Sequence, residues 1–435
     1  MKSKYLALGL LSLIVACAPP SKEPEHKLVG KNPIIPPIDK NVLPTLNFST
    51  AKGWPEGAGP HAPAGFEVTR FASGLAHPRW LYQLPNGDVL VAESTTVPPP
   101  PKTLSDYLAV WLQKRAGERG ASANRITLLR DSKGAGSPDT RTIFLSGLNQ
   151  PFGMLLIGST FYVGDTDGVL TFTYQSGATH IDGKGKKILS LPQGGYNNHW
   201  TRNVFADETG TKLFVTVGSG SNVAEHGLDN EFHRANIIAF NPDGSGAHVF
   251  ASGLRNPNGL AWEPSTHALW TVVNERDMLG NDLAPDYFTH VSEGGFYGWP
   301  YSYWGKHVDK RAEPARPDLV AKALTPDYSL GSHVAPLGLA FYTADAFPAA
   351  YRGGAFIGEH GSWNRRPFSG YKVVFVPFRN GEPSGDPQDF LTGFMAGDNS
   401  GNAYGRPVGV IVAKDGSLLV ADDVGNCIWR VAAKR

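Results

Sequence analysis

Two cysteines in 435 residues, Cys17 and Cys427, leave no disulfide framework for the fold to lean on. Net charge is also missing. Forty Lys and Arg against 39 Asp and Glu leave a formal +1, which gives no long-range pull toward nucleic acid. The chain lacks a G-x-S-x-G elbow, a phosphate-binding loop and a G-x-G-x-x-G fingerprint, and it has no CxxC or HExxH pair. Those absences argue against serine-hydrolase, ATP, nicotinamide and zinc chemistry. Past the N-terminus no apolar stretch is long enough to cross a bilayer.

The N-terminus has its own pattern. Lys2 and Lys4 precede an apolar run, Tyr5 to Ala16, that is short for a membrane span and closes in Leu13-Ile14-Val15-Ala16-Cys17. This resembles a bacterial lipoprotein signal, in which residues 1–17 end at a lipidated Cys17; an ordinary secretory signal is the alternative. Acylation of Cys17 would leave Cys427 unpaired, and its apolar setting (Cys427-Ile428-Trp429) suits a small buried hydrophobe. Export with a lipid tether on the periplasmic side follows, and Ala18 leans toward the outer membrane by the same resemblance. Residues 18–60 are rich in Pro, Lys and Asn and are expected to form an extended linker ahead of a catalytic body at 61–435.

What is abundant is glycine (51), proline (34) and a repeat. Pro78-Arg79-Trp80-Leu81 passes through Asn86-Gly87-Asp88 to Val89-Leu90-Val91-Ala92-Glu93. Pro407-Val408-Gly409-Val410 passes through Asp415-Gly416 to Leu418-Leu419-Val420-Ala421-Asp422 at the same spacing. Looser copies begin at Pro151, Trp200, Pro257 and Pro336. Short β-rich repeats with Asn-Gly or Asp-Gly turns predict an all-β, six-bladed β-propeller with loop insertions. Each unit has about 60 residues against the usual ~40–50, so insertions are required. Two are visible: a helical pattern at Leu104 to Leu112, and an aromatic-rich stretch from Gly294 to about Leu330.

Polar groups crowd the repeat entries: His77, Arg79, His199, Arg202, Arg255, Asn256 and Arg406. Equivalent positions on a propeller converge, so these side chains are expected at one axial pocket. His199, in Asn198-His199-Trp200-Thr201-Arg202, can take a proton near neutral pH, with a neighbouring amide to set its tautomer. Arg255-Asn256 can clamp a planar carboxylate. Oxygen donors at Glu275 and Asp277, around Arg276, suit Ca²⁺, although a solvated acidic loop explains them as well.

The run LRNPNGLAW followed by GGFYGWP, with HWTRN upstream and GEHGSWNR downstream, resembles the sorbosone dehydrogenase family, related to the soluble quinoprotein glucose dehydrogenases. The resemblance spans about Phe66 to Val431. It implies oxidation of a sugar (an aldose, a sorbosone-like aldehyde or a related pyranose) with pyrroloquinoline quinone (PQQ) and Ca²⁺. By that likeness His199 is the general base, with Asn198 where the glucose enzymes have an aspartate. By the same likeness Arg79, Asn198, Arg202, Arg255, Asn256, His360 and Arg406 contact the quinone, and Glu275, Arg276 and Asp277 form the Ca²⁺ loop, through backbone carbonyls or side chains. Tyr404 stands where the glucose enzymes have a second arginine. Trp299, Tyr301, Tyr303 and Trp304 could stack on a sugar or simply pack. No CxxCH haem motif is present, so electrons would pass to an external acceptor such as a cytochrome or quinone. The rivals are a Ca²⁺-dependent propeller lactonase or esterase, and a non-catalytic propeller that binds a glycan or a protein.

Overall fold

The structure, a computed structural model, describes residues 20–39, 45–97, 100–397 and 400–434. The signal segment and Cys17 lie outside the described residues. Six four-stranded antiparallel sheets form the blades of a propeller. The first blade runs Pro78–Gln83, Val89–Glu93, Arg125–Arg130, Thr140–Leu145. The last is composite: Pro407–Val412, Leu418–Asp422 and Cys427–Ala433 are completed by Phe66–Ala72 from the other end of the chain. Phe66 lies opposite Ala433 and Thr69 opposite Arg430, so the two ends of the body close the ring.

The sequence repeat is the inner strand pair of each blade. Its strands are buried on both faces because they pack between neighbouring blades, which explains continuous runs such as Val89-Leu90-Val91-Ala92 in place of polar alternation. Gly87 takes φ 99° in the intervening turn, a conformation that glycine adopts without steric cost. The acid that ends the repeat is architectural. Asp422 accepts hydrogen bonds from the Arg406 and Gly425 amides, both at 2.8 Å, and from the indoles of Trp54 and Trp429. Glu93 receives a bidentate Arg125. These carboxylates tie the loop entering a blade to the end of its second strand. Cys427 is buried beside Asp422, and burial pushes its thiol pKa up.

In such a meander, loops that join consecutive blades and loops between second and third strands open on the same face. The first insertion falls there. It forms a helix, Leu104–Arg115, closed at its start by a capping box between Thr103 and Asp106. The second insertion joins the third and fourth strands of the fourth blade. Its Trp299, Tyr301, Tyr303 and Trp304 are all buried and none lines the axial cavity, which fits the packing role of the two open to them.

Over its described residues the 18–60 segment is largely extended, apart from a helical turn at Glu25–Leu28, and it does not hang free. The Ser21 amide donates to Arg366 O, and Asp282 accepts from the amides of Lys22 and Glu23. Asn47 donates to Trp363 O, and Thr50–Ala51 pairs in parallel with Asn402–Ala403. Extended backbone leaves its N–H and C=O groups open, and the propeller's loops satisfy them. The segment is a strap across the face that carries the insertion helix.

Candidate active site

On this face a cavity of about 220 Å³ opens at the propeller axis. Its wall combines blade-entry loops (Arg79, Asn198 to Thr201, Arg255, Asn256, His333, Arg406) with loops between second and third strands (Glu118, Asn274, Glu275, Asp277, His360, Asn364). Arg79, Asn198, His199, Arg255, Asn256, Glu275, Asp277, His360 and Arg406 therefore meet at one place although they span most of the chain.

His199 is held by one nitrogen. Its Nδ1 lies 2.9 Å from both the carbonyl oxygen and the hydroxyl of Ser219. The carbonyl can only accept, so Nδ1 carries the hydrogen and Nε2 keeps the lone pair. The ring's tautomer is set by Ser219. Asn198, expected as the orienting amide, is exposed, and its backbone N–H bonds Gly220 O. Burial, reinforced by the Arg255 charge, lowers the His199 pKa to about 3, so the imidazole is neutral throughout the physiological range.

Each guanidinium in the wall has a carboxylate. Arg79 pairs with Asp423, Arg255 with Asp277 at 2.8 Å, and Arg406 with Glu118 at 2.6 Å. Arg406 also donates to the carbonyls of His360 and Gly361, and Arg255 to Glu275 O and both oxygens of Asn222. His360 Nε2 sits 3.0 and 3.1 Å from the two Asp423 oxygens. Burial opposes ionisation of Asp277 and Asp423. Arg255 outweighs it at the first, His360 and Arg79 at the second, and both carboxyls stay well below the usual range. Burial pushes Asp286 up to about 7 even though it accepts from the amides of Glu275 and Ala335.

Two residues expected at the ligand are elsewhere. Arg202 is fully buried beneath the cavity wall, bonded to the carbonyls of His199, Thr201 and Pro192 and to Asn197 Oδ1. It braces the loop that carries His199 and does not reach the cavity. Burial, with Arg234 nearby, lowers its pKa to about 9. Arg276 is likewise enclosed, between Glu275 and Asp309, with its guanidinium on the carbonyls of Pro300 and Ser302. That guanidinium is no metal ligand and anchors the second insertion, which leaves only the Arg276 backbone carbonyl for the role the resemblance implies. The Glu275 and Asp277 carbonyls are occupied too, by Arg255 and by Asn222 and Arg311 respectively.

Sequence reasoning passed over Glu118, Ser219, His333 and Asp423, whereas Asn274 and Asp286 stand in the oxygen-rich stretch read as suiting Ca²⁺ and Asn364 in the GEHGSWNR segment. Asp423 follows the repeat acid directly, and this was a usable signal. Glu118 and Ser219 belong to no repeat, and only the fold brings them in.

Residues 166–362 match the family model described as Glucose / Sorbosone dehydrogenase, and residues 317–434 match one described as TrAA12-like. The chain is 30% identical over 179 residues to the aldose sugar dehydrogenase YliI of Escherichia coli, which covers 41% of this chain and 43% of the relative. It is 27% identical over 296 residues to the pyrroloquinoline quinone-dependent pyranose dehydrogenase of Coprinopsis cinerea, 54% of this chain and 40% of that one. The chain thus spans less than half the length of these two relatives. The holo form of the pyranose dehydrogenase PQQ domain from Coprinopsis cinerea superposes with a TM-score of 0.68, over 88% of this chain and 100% of that one, at 20% identity. At that identity the likeness is one of fold.

Proposed function

We propose that this chain, whose residues 166–362 carry a glucose/sorbosone dehydrogenase domain, oxidises a sugar hydroxyl in the axial cavity with PQQ and Ca²⁺. The observation that carries the reading is His199: a neutral ring, hydrogen fixed on Nδ1, in a wall where three guanidiniums converge. The donor set fits an anionic planar ligand. Arg79 Nε is buried without a partner, as are Asn256 Oδ1 and Asn364 Oδ1, so polar groups stand ready that the protein does not satisfy. The acids matter equally. Arg79, Arg255 and Arg406 are each matched by a carboxylate, so a polyanion would enter a nearly charge-balanced site, and a bound cation would offset its charge. For that cation the cavity offers Glu275, whose Oε1 is buried and unpartnered, with Asp277 and Asp286. Among the described residues no group of three or more His, Cys, Asp or Glu is preassembled for a metal.

PQQ supplies a two-electron acceptor when bound. The chain's own part is acid–base and positional. His199 Nε2 takes the hydroxyl proton of the substrate, while Nδ1–H stays on Ser219, so the ring cannot turn away as it becomes charged. A low resting pKa keeps the lone pair available but weakens it as a base; the charge it gains is answered by Asp277 across the cavity, which already acts on its titration. Arg79, Arg255 and Arg406 orient the ligand, with His360 held by Asp423 beside them. We further propose a lipid anchor at Cys17, a periplasmic location and electron delivery to a separate acceptor.

The lactonase rival gains one observation: amides and acids (Asn198, Asn256, Asn274, Asn364, Glu275, Asp286) share the same wall. Reconstitution separates the two. The full chain with Ca²⁺ and PQQ should acquire quinone absorbance and reduce a dye in the presence of aldoses. Lactone hydrolysis with Ca²⁺ alone, and neither quinone uptake nor dye reduction at micromolar cofactor, would overturn the dehydrogenase reading.

A further inference from the structure

The Leu104–Arg115 helix turns its apolar side the wrong way for a core. Leu104 is 87% exposed, Tyr107 60%, Leu108 37% and Trp111 53%. Their spacing of three, one and three residues places all four on a single stripe. Val97, just before the helix, is exposed as well. Scattered surface apolar residues need no explanation, but a helical stripe of Leu, Tyr, Leu and Trp does. Lys102, Lys114 and Arg115 flank it against a single acid, Asp106. Trp and Tyr with basic neighbours are the composition of helices that lie in a bilayer's headgroup region.

The position of the helix adds the second observation. Arg115 Nε donates to Thr50 Oγ1 on the strap, and Glu118, three residues past the helix, holds Arg406 in the cavity wall. The helix therefore stands at the cavity rim. The strap brings the chain's start to the same face, where Ser21 is tied to Arg366 O and its neighbours to Asp282. Residues 17 to 21 can span at most about 14 Å. A lipid anchor at Cys17, as proposed above, would attach within that reach of Ser21.

We infer that this face is a membrane-docking surface: the Leu104, Tyr107, Leu108 and Trp111 stripe enters the interface of an anionic bilayer, and the axial cavity opens toward the lipid. The inference rests on the membrane location proposed above and is independent of the sugar chemistry. A thiol-reactive fluorophore at Tyr107→Cys, and separately at Lys133→Cys on the opposite face, tests it in the full chain, since Cys427 is buried. The protein is reconstituted on phosphatidylethanolamine/phosphatidylglycerol vesicles carrying nitroxide-labelled acyl chains. Quenching and a blue shift are expected at position 107 and not at 133. Adding Leu104→Glu and Trp111→Glu should abolish the quenching while dye-linked turnover is unchanged. Equal quenching at both positions, or none at 107, overturns the inference, including the case in which the stripe awaits a protein partner. The fluorescence is read without cofactor, so a failure of sugar oxidation is distinguishable from it. Mass measurement of the N-terminal peptide reports the lipid on Cys17 separately.

Discussion

Two of the histidines that line the cavity, His199 and His360, have opposite commitments. His199 gives Nδ1 to a backbone carbonyl that cannot take up a proton or carry charge, and its other nitrogen has no such tie. His360 presents Nε2 to Asp423, which Arg79 holds from its other side. Burial lowers both, His199 to about 3 with Arg255 adding to the effect and His360 to about 4 with Arg406 doing so. Similar pKa values therefore conceal different chemistry. One ring is a lone pair held in place; the other is a neutral ring whose Nε2–H donates to a carboxylate shared with Arg79. A histidine's role in this cavity depends on what holds its second nitrogen.

His199→Ala is the largest test of that contrast. Loss of a positioned base should reduce turnover by about 10²–10⁴-fold while PQQ uptake, followed by absorbance, persists; unchanged turnover would end the case for His199. Asp423→Asn attacks the other side. It leaves the largely enclosed Arg79, whose side chain is 12% exposed, without its carboxylate and should cost roughly 3 kcal/mol in urea unfolding. An effect near zero would mean that the Arg79, Asp423 and His360 cluster contributes little to holding that wall.

The smallest test is spectroscopic. The His199 Cε1–H resonance of cofactor-free protein should not titrate between pH 5 and 8, since its pKa lies at about 3. The sign for stability follows. The folded state keeps His199 neutral while the unfolded chain protonates it near 6.5, so its contribution is present above 6.5 and is lost as pH falls toward 3. A resonance titrating near 6.5 would break the comparison.

Much of this was legible. The repeat from Pro78 to Glu93 specified the blade's inner strands, because a strand buried on both faces must be apolar throughout and must end at a turn. The convergence of Arg79, His199, Arg255 and Arg406 followed from their equivalent places in the repeat, while His360, on a loop between second and third strands, was indicated only by the resemblance. Arg202 misled because proximity to His199 in sequence says nothing of direction: it points beneath the cavity, where backbone carbonyls need donors. The Arg276 side chain turns away for a related reason, since adjacent residues of a loop face opposite ways. The Leu104–Arg115 helix was visible as a period, but periodicity cannot say which side a stripe faces.

By itself the sequence determined the strands, the number of blades and which positions share an end of the propeller, all consequences of local periodicity and repetition. Only the tertiary structure decided which arginines reach the axis, which acid neutralises each of them, and that Ser219 rather than Asn198 holds the histidine. Those outcomes depend on contacts between loops far apart in the chain. Pairing of buried charge is governed by distance in space, on which sequence separation places almost no constraint.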